Sequence, residues 1–549
     1  MIHLLPQTIL ETALRLPDKI AFKCGKDQLT YAELATKIQQ LATVLRDLGV
    51  KKGDLVGLFL NRSIETAIAT HGVMLAGGAY VPLNPRAPVS VNQFQIKEGN
   101  FKVAITNRAQ QKSLATLLRT TAGEQDAGPS VRSLKYSTLA DLLDSSTSKK
   151  SMIPFVVGAD NLDVPGCRAI GWEEVFSQPE SFKQKSRILS DDLAYIMYTS
   201  GSTGTPKGMM HTHRSGLGFA RLMAHHFQIR ESDVFGSHAP IYFDVSTPGL
   251  FTAPLVGATT VIVSDGHTIF PTSLSALFEA ERISVWYSVP LALIHLLEKG
   301  ELEKKELPDL RHILYAGEPF APKYLRRLMH AFPQIKVSNL YGPAETNVCT
   351  YYDLPGPPTT DEPIPIGDVW KDTDRIILDE KGEEIYNFGT GELCIRSVTT
   401  MAGYLKQPEL TERAFYQRFA ESGVGEKFYK TGDLVELDQA GLLHFRGRRD
   451  HQLKIRGYRV EPDAVETRIL AHSAVSEAAI ITRKTDEETL MMVAAVILKE
   501  GSEVPAKELM NFVGEEFPWY AIPEEICFLS SFPRTGSGKV DRGTLAELI

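Results

Sequence analysis

The stretch "YTSGSTGTPKG", residues 198–208, decides how this chain is to be read. It follows the apolar run "LAYIM" at 193–197, so a strand leads into a Gly/Ser/Thr-rich loop that carries one cation, Lys207. Hydroxyls and closely set backbone N–H groups suit phosphate oxygens, and glycine lets the backbone come near them. The loop is not a Walker A loop. That motif needs G-x-x-x-x-G-K-[ST], whereas Lys207 follows Pro206 and precedes Gly208. "GSGKV" at 536–540 also fails, because Val540 takes the hydroxyl position, and no G-x-G-x-x-G follows the first strand. Taken alone, the loop is either a phosphate holder of another kind or a glycine-rich surface turn.

The rest of the chain sets the context. With 549 residues it exceeds what one core organises. Its 43% hydrophobic and 23% charged content is that of a globular protein. A net charge of -8 argues against binding nucleic acid through a basic surface. No apolar run is long enough to span a membrane, and "MIHLLPQTIL" lacks a secretory leader's features, so a cytoplasmic protein is expected. Cys24, Cys167, Cys349, Cys394 and Cys527 are scattered, which suggests neither a disulfide framework nor a zinc site.

"LTYAELATKIQQLATVLRDLG" has helical apolar spacing and stops at Gly49. "DLVGLFL" is a strand, and "IETAIATHGVMLAGGAYVPLN" is helix, glycine stop, strand. This rhythm predicts an α/β domain with parallel strands, resumed by "ISVWYSVP" and "RHILYAGEP". Residues 121–151 are polar and predict a surface insertion. After about residue 365 the pattern turns strand-rich, with "DRIILDE", "GELCIRS", "DLVELD" and "LLHFRGR". A small α+β unit follows, from "GRRDHQLKIRGYRVEPDAVE" onward.

"YTSGSTGTPKG", "NLYGPAET", "YKTGDL", "GRRDHQLKIRGYRVEPDAVE" and "PRTGSGKVDR" occur in that order, with "LTYAEL" and "LAGGAYVPLNP" before them. Together they resemble the adenylate-forming superfamily of acyl-CoA synthetases, luciferases and nonribosomal peptide synthetase adenylation domains. The resemblance spans nearly the whole chain except 121–151. Asn84 stands where many members have Asp. It implies an α/β fold in two parts. Residues 1–449 would form a large N-terminal adenylation core of mixed and parallel sheets with a β-rich subdomain. Residues 450–549 would form a small mobile α+β lid, turning on a hinge at Asp450.

The implied chemistry is activation of a carboxylate by ATP, with magnesium, followed by transfer to a thiol. Thr199, Ser200, Gly201, Ser202, Thr203, Gly204 and Lys207 would hold the β- and γ-phosphates. Tyr341 would stack on adenine, and Asn339, Gly317 and Glu318 would meet its edge, with Gly342 and Thr346 beside them. Glu345 would help hold magnesium, a hard cation that takes oxygen ligands. Asp433 would accept hydrogen bonds from the ribose hydroxyls, and Arg448 would add a ribose or phosphate contact. Lys539 matches the catalytic lysine, stabilising charge as the adenylate forms. Each of these residues alone is a common surface or core feature; their order along the chain gives them weight.

"IYFDVSTPGLF" places Asp244 where amino-acid-activating members pair the substrate ammonium, because a buried carboxylate needs a charged partner. The carried-over pocket is Asp244, Val245, Pro248, Tyr287, Leu314, Ala316, Leu340, Val348 and Cys349, with Lys539. It offers no second charge and no amide to a polar substrate side chain, so a small apolar amino acid is expected. The set is similar to that of free-standing members that load L-proline onto a carrier, from which Val245 and Pro248 depart. The chain ends shortly after "VDR", so a separate carrier protein bearing phosphopantetheine is expected as acceptor. An acyl- or aryl-CoA ligase and a nucleotide-sensing binder are the alternatives; Lys539, Asp433 and Glu345 speak against the binder.

Overall fold

The structure, a computed structural model, describes residues 2–121, 153–160, 162–179, 187–199, 206–386, 388–419, 423, 425–449, 452–485, 489–534 and 540–549. The predicted insertion, apart from Thr121, lies outside the described residues. The helix Tyr31–Asp47 opens on a capping box: Glu33 N–H donates to the Thr30 hydroxyl, and Thr30 N–H donates to the Glu33 carboxylate. It buries Tyr31, Leu34, Ile38, Leu41 and Leu45 on one face. The helix Ile64–Ala76 stops at Gly77, whose φ of 97° is cheap only for glycine. The chain then enters the strand Ala79–Leu83.

Two large sheets form the N-terminal domain, giving the mixed α/β architecture expected from the rhythm of helices and strands. One has nine strands. Its parallel centre runs Lys336–Tyr341, His312–Ala316, Val285–Ser288, Val234–Ser237, Thr259–Ile262 and Ile20–Cys24. The other has eight strands, with Leu193–Thr199, Ala79–Leu83, Leu55–Phe59 and Val103–Thr106 at its parallel centre. The central strands of both sheets are mostly buried along their length, as in sheets covered on both faces. Ile20–Cys24 departs from the local rhythm. It pairs with Asp27–Thr30 as a hairpin and on its other edge joins Thr259–Ile262, far along the chain, instead of the following strand Leu55–Phe59.

A six-stranded antiparallel sheet follows, built from Asp374–Leu378, Glu384–Ile385, Gly389–Arg396, Phe415–Phe419, Gly425–Leu437 and Leu443–Arg448. The small C-terminal domain holds a two-stranded hairpin, Leu453–Ile455 with Tyr458–Val460, and a three-stranded sheet of Val475–Lys484, Leu490–Leu498 and Glu525–Phe528. It has its own core around Val465, Ile469, Val496, Leu509 and Val513. Among the described residues, no helix is long and apolar enough to cross a membrane, and all five cysteines are free.

Candidate active site

The parallel strands of both large sheets point their C-terminal ends at one cleft, the usual place for a ligand in open α/β sheets. Thr199 ends one strand, Ala316 and Gly317 end another, Tyr287 lies within a third, and Gly342 follows Tyr341 at the end of a fourth. A cavity of about 110 Å³ opens there, and Asp244, Val245, Val348, Asp433 and Arg448 also line it.

The half of the cleft around Asp244 belongs to the large N-terminal domain. Asp244 begins a 3-10 turn, Asp244–Ser246, that runs into a π-turn at Pro248–Thr252. It is half-buried and faces the cavity. Its Oδ1 accepts the Val245 N–H at 2.9 Å. Desolvation pushes its carboxyl up to about 6, and nearby Lys454 only partly offsets this. A carboxylate so placed gains from a cation arriving beside it. Around it Val245, Tyr287, Leu314, Ala316, Leu340 and Val348 pack as one apolar cluster. Leu314 and Leu340 sit behind the wall that the other four present. Pro248 is buried in the π-turn, and Cys349 packs with Tyr341 in a neighbouring cluster.

The other half, around Asp433 and Glu345, is assembled from separate elements. Tyr341 donates its hydroxyl to Asp433, and Arg448, paired opposite Asp433 on the adjacent strand, forms an ion pair with the same carboxylate. Asp433 is 2% exposed, so this pre-set arrangement fixes its orientation. Thr199 stands opposite Lys207 in the antiparallel pair that flanks the phosphate loop. Lys207 does not line the cavity as it stands. Ser200, Gly201, Ser202, Thr203 and Gly204 lie outside the described residues, as do Asp450 and Lys539. Asn339 is not among the residues lining the cavity, and its amide donates to the Pro365 carbonyl at 2.8 Å. Thr346 is likewise satisfied locally by the Pro343 carbonyl.

The small domain enters this half through its hairpin, a contribution absent from the sequence expectations. Arg459 grips Glu345 with two hydrogen bonds, 3.0 and 2.9 Å, and the Tyr404 hydroxyl donates to the same carboxylate at 2.8 Å. Glu345 is 1% exposed. Burial alone would raise its pKa, yet Arg459 and the surrounding hydroxyls hold it below the usual range, so it is ionised. Arg459 Nε donates to Gln452 at 2.8 Å, and Gln452 in turn donates to Glu461. Lys454 stands 5.8 Å from the centre of the Tyr341 ring, on the surface assigned to adenine. Burial lowers its pKa, with Asp433 and Asp244 acting against that. Gly457 N–H donates to Glu318 at 2.6 Å, and burial pushes that carboxyl up to about 7. Gly457 is required here, since its φ is 79° and a Cβ would come within 2.3 Å of Val289. Phe243 meets Tyr458 edge to face at 5.0 Å. The basic spacing in "KIRGYR" was the only sequence signal for this contact, and it does not name a partner.

Among the described residues, no three His, Cys, Asp or Glu side chains converge on a metal site. Glu345 still fits magnesium in the mode that ion favours, one carboxylate with the remaining ligands from water and substrate phosphates. The expected pocket without an amide is corrected by Asn347, which lines the cavity next to Val348.

Residues 9–405 match the family described as AMP-binding enzyme, and residues 464–539 match the AMP-binding enzyme C-terminal domain. A protein named L-proline–[L-prolyl-carrier protein] ligase from Pseudomonas fluorescens is 31% identical, over 100% of this chain and 99% of its own. One of the same name from Streptomyces coelicolor is 31% identical over 94% of this chain and 91% of its own. The adenylation domain AlmE of Vibrio cholerae, solved with glycyl-adenosine-5'-phosphate, superimposes with a TM-score of 0.81 at 22% identity. That match covers 100% of this chain and 98% of AlmE, and it establishes the shared fold.

Proposed function

The chain belongs to the AMP-binding enzyme family, an adenylate-forming ligase, and from that premise we propose that it activates L-proline and loads it onto a separate carrier protein. An oxygen of the amino-acid carboxylate attacks the α-phosphorus of ATP. The bond to the β-phosphate breaks and pyrophosphate leaves. The phosphopantetheine thiol then attacks the acyl carbon, its proton goes to solvent, and AMP leaves.

The observation that carries the amino-acid reading is Asp244, a carboxylate without a strong ion pair that shares its cavity with the apolar cluster of Val245, Tyr287, Ala316 and Val348. The secondary ammonium of proline supplies the missing cation, and its ring suits the apolar wall. The two relatives named for prolyl-carrier ligation support the same substrate and acceptor.

The nucleotide side is used alternately. Arg459 and a metal would compete for the Glu345 carboxylate, which already accepts three hydrogen bonds with the hairpin seated. With the hairpin seated, the cavity of about 110 Å³ falls below the ~300 Å³ lower bound of ordinary ligand pockets. ATP and an amino acid therefore enter when the hairpin has withdrawn. In that arrangement Glu345 would hold magnesium, which neutralises phosphate charge, and Lys539 would reach the reacting carboxylate. The seated hairpin then serves the thiol step. It supplies Lys454 beside Asp433, and its Tyr458 forms an aromatic border with Phe243 and Tyr520.

Pyrophosphate exchange measured across the twenty amino acids and a set of aryl acids tests this reading. Exchange should be strongest with L-proline. Exchange with aryl acids alone would establish the aryl-CoA ligase alternative instead.

A further inference from the structure

Asn347 combines three features that the substrate reading does not use. It is 3% exposed and lines the same cavity as Asp244. Its φ is 58°, a left-handed conformation that asparagine tolerates better than other side-chain-bearing residues. Its amide is also directed at the Asp244 turn. Nδ2 donates to Thr247 Oγ1 at 3.2 Å, and that hydroxyl donates to the Asp244 carbonyl at 2.6 Å. A hydroxyl has one proton to give and two lone pairs, so the chain Asn347 to Thr247 to Asp244 runs in one consistent direction. Buried hydrogen bonds linked this way reinforce one another.

The Tyr195 hydroxyl lies within reach of the Asn347 amide. The Tyr195 ring is stacked between Tyr80 at 5.5 Å and His211 at 4.8 Å in the eight-stranded sheet. His211 in turn bonds the Ala344 carbonyl at 3.1 Å, next to Glu345. Asn347 is thus the point where the loop carrying Glu345, the central strand of one sheet and the turn carrying Asp244 meet.

We propose that Asn347 is a positioning residue of the amino-acid subsite, holding the Asp244 turn in register with the Glu345 loop through Thr247. This rests on the amino-acid reading above. Left-handed backbone and a side-chain donor are both needed at this place. Glycine meets the first need and not the second, which makes Asn347→Gly the informative variant because it deletes the amide without straining the loop. Thr247→Val keeps the side-chain shape and deletes the relay from the other end.

The test is pyrophosphate exchange by the full chain, with KM for the amino acid and KM for ATP measured separately. The amino acid used is whichever gives the strongest exchange with the unmodified protein. Asn347→Gly should raise the amino-acid KM about tenfold, the size of one lost buried hydrogen bond, and leave the KM for ATP within about twofold. Thr247→Val should move the same constant in the same direction, and the double variant should match the worse single one, as linked partners do. Two results would overturn the proposal: an unchanged amino-acid KM in both variants, or equal rises in both KM values. Absence of exchange with every amino acid in the unmodified protein is a separate result, and it would remove the function proposed above.

Discussion

The two halves of the cleft are built differently. The half around Asp244 takes its apolar wall from one domain: its wall residues lie in a single cluster, and its acid hangs from a turn braced by Thr247, with Lys454 of the other domain as its nearby cation. The half around Glu345, Asp433 and Glu318 is closed by the other domain, through Arg459, Lys454 and Gly457. A preformed pocket suits selection of one ligand, the role proposed for the half around Asp244. A half whose cation supply is brought by a separate domain can change its chemistry between two steps that need different partners. Buried ion pairs such as Arg459–Glu345 are costly to desolvate and costly to break singly. The seated hairpin is therefore a defined state that carries a specific pairing.

Variants can break this contrast. The largest effect belongs to Lys539→Ala, which removes a cation from the developing charge of the first step. Adenylation should fall about 10²–10³-fold, the usual loss for one such donor, as read by pyrophosphate exchange; a near-normal rate would show that another cation serves the step. Asp244→Ala should come next. It should raise the amino-acid KM about a hundredfold, in line with loss of a charge-assisted contact worth about 1.5–3 kcal/mol, with little change in the KM for ATP. Equal changes in both constants would remove the distinction between the halves.

Arg459→Ala sharpens the other side. It should slow aminoacyl transfer to carrier thiol about tenfold in single-turnover assays while leaving pyrophosphate exchange within about threefold, because the guanidinium engages Glu345 only when the hairpin is seated. The smallest effect is in pH. Asp244 must be ionised to hold an ammonium, so the amino-acid KM should rise as pH falls through about 6. Stability of the ligand-free protein should move oppositely. The folded pKa lies above the ordinary carboxylate value, so the fold binds the proton more tightly than the unfolded chain does. That contribution, at most about 3 kcal/mol, is full at low pH and lost as pH rises through about 6. Melting curves of Asp244→Asn against the unmodified chain should show the larger gain at pH 8 than at pH 5.

What could be read without coordinates follows from range. Tyr31–Asp47, Ile64–Ala76 with its stop at Gly77, and the strands Val285–Ser288 and His312–Ala316 are written in local periodicity and turn chemistry, and they were legible. Asp244, Tyr287, Ala316 and Val348 were placeable because the motifs that carry them occur in a fixed order. The pairing of Ile20–Cys24 with Thr259–Ile262 was not legible, because a parallel neighbour leaves no mark on a strand's own pattern. The Arg459–Glu345 contact was hidden for the same reason, since it joins two domains. Asn347 escaped notice because a left-handed loop residue has no periodic signature and its partner Thr247 is distant in sequence. Asn339 shows the converse: its place in "NLYGPAET" was clear, but its amide had a nearer partner in the Pro365 carbonyl.

Hydrogen exchange across the segment 452–460 tests the alternating use of Glu345 most directly. The full chain is measured alone, and then with magnesium, a non-hydrolysable ATP analogue and L-proline at saturation, with binding verified by calorimetry. The bound nucleotide should release the hairpin, so exchange in this segment speeds up while the Asp244 turn becomes more protected. If the nucleotide binds tightly and the hairpin keeps its full protection, Arg459 and the nucleotide's metal do not compete for Glu345, and the alternation proposed here is wrong.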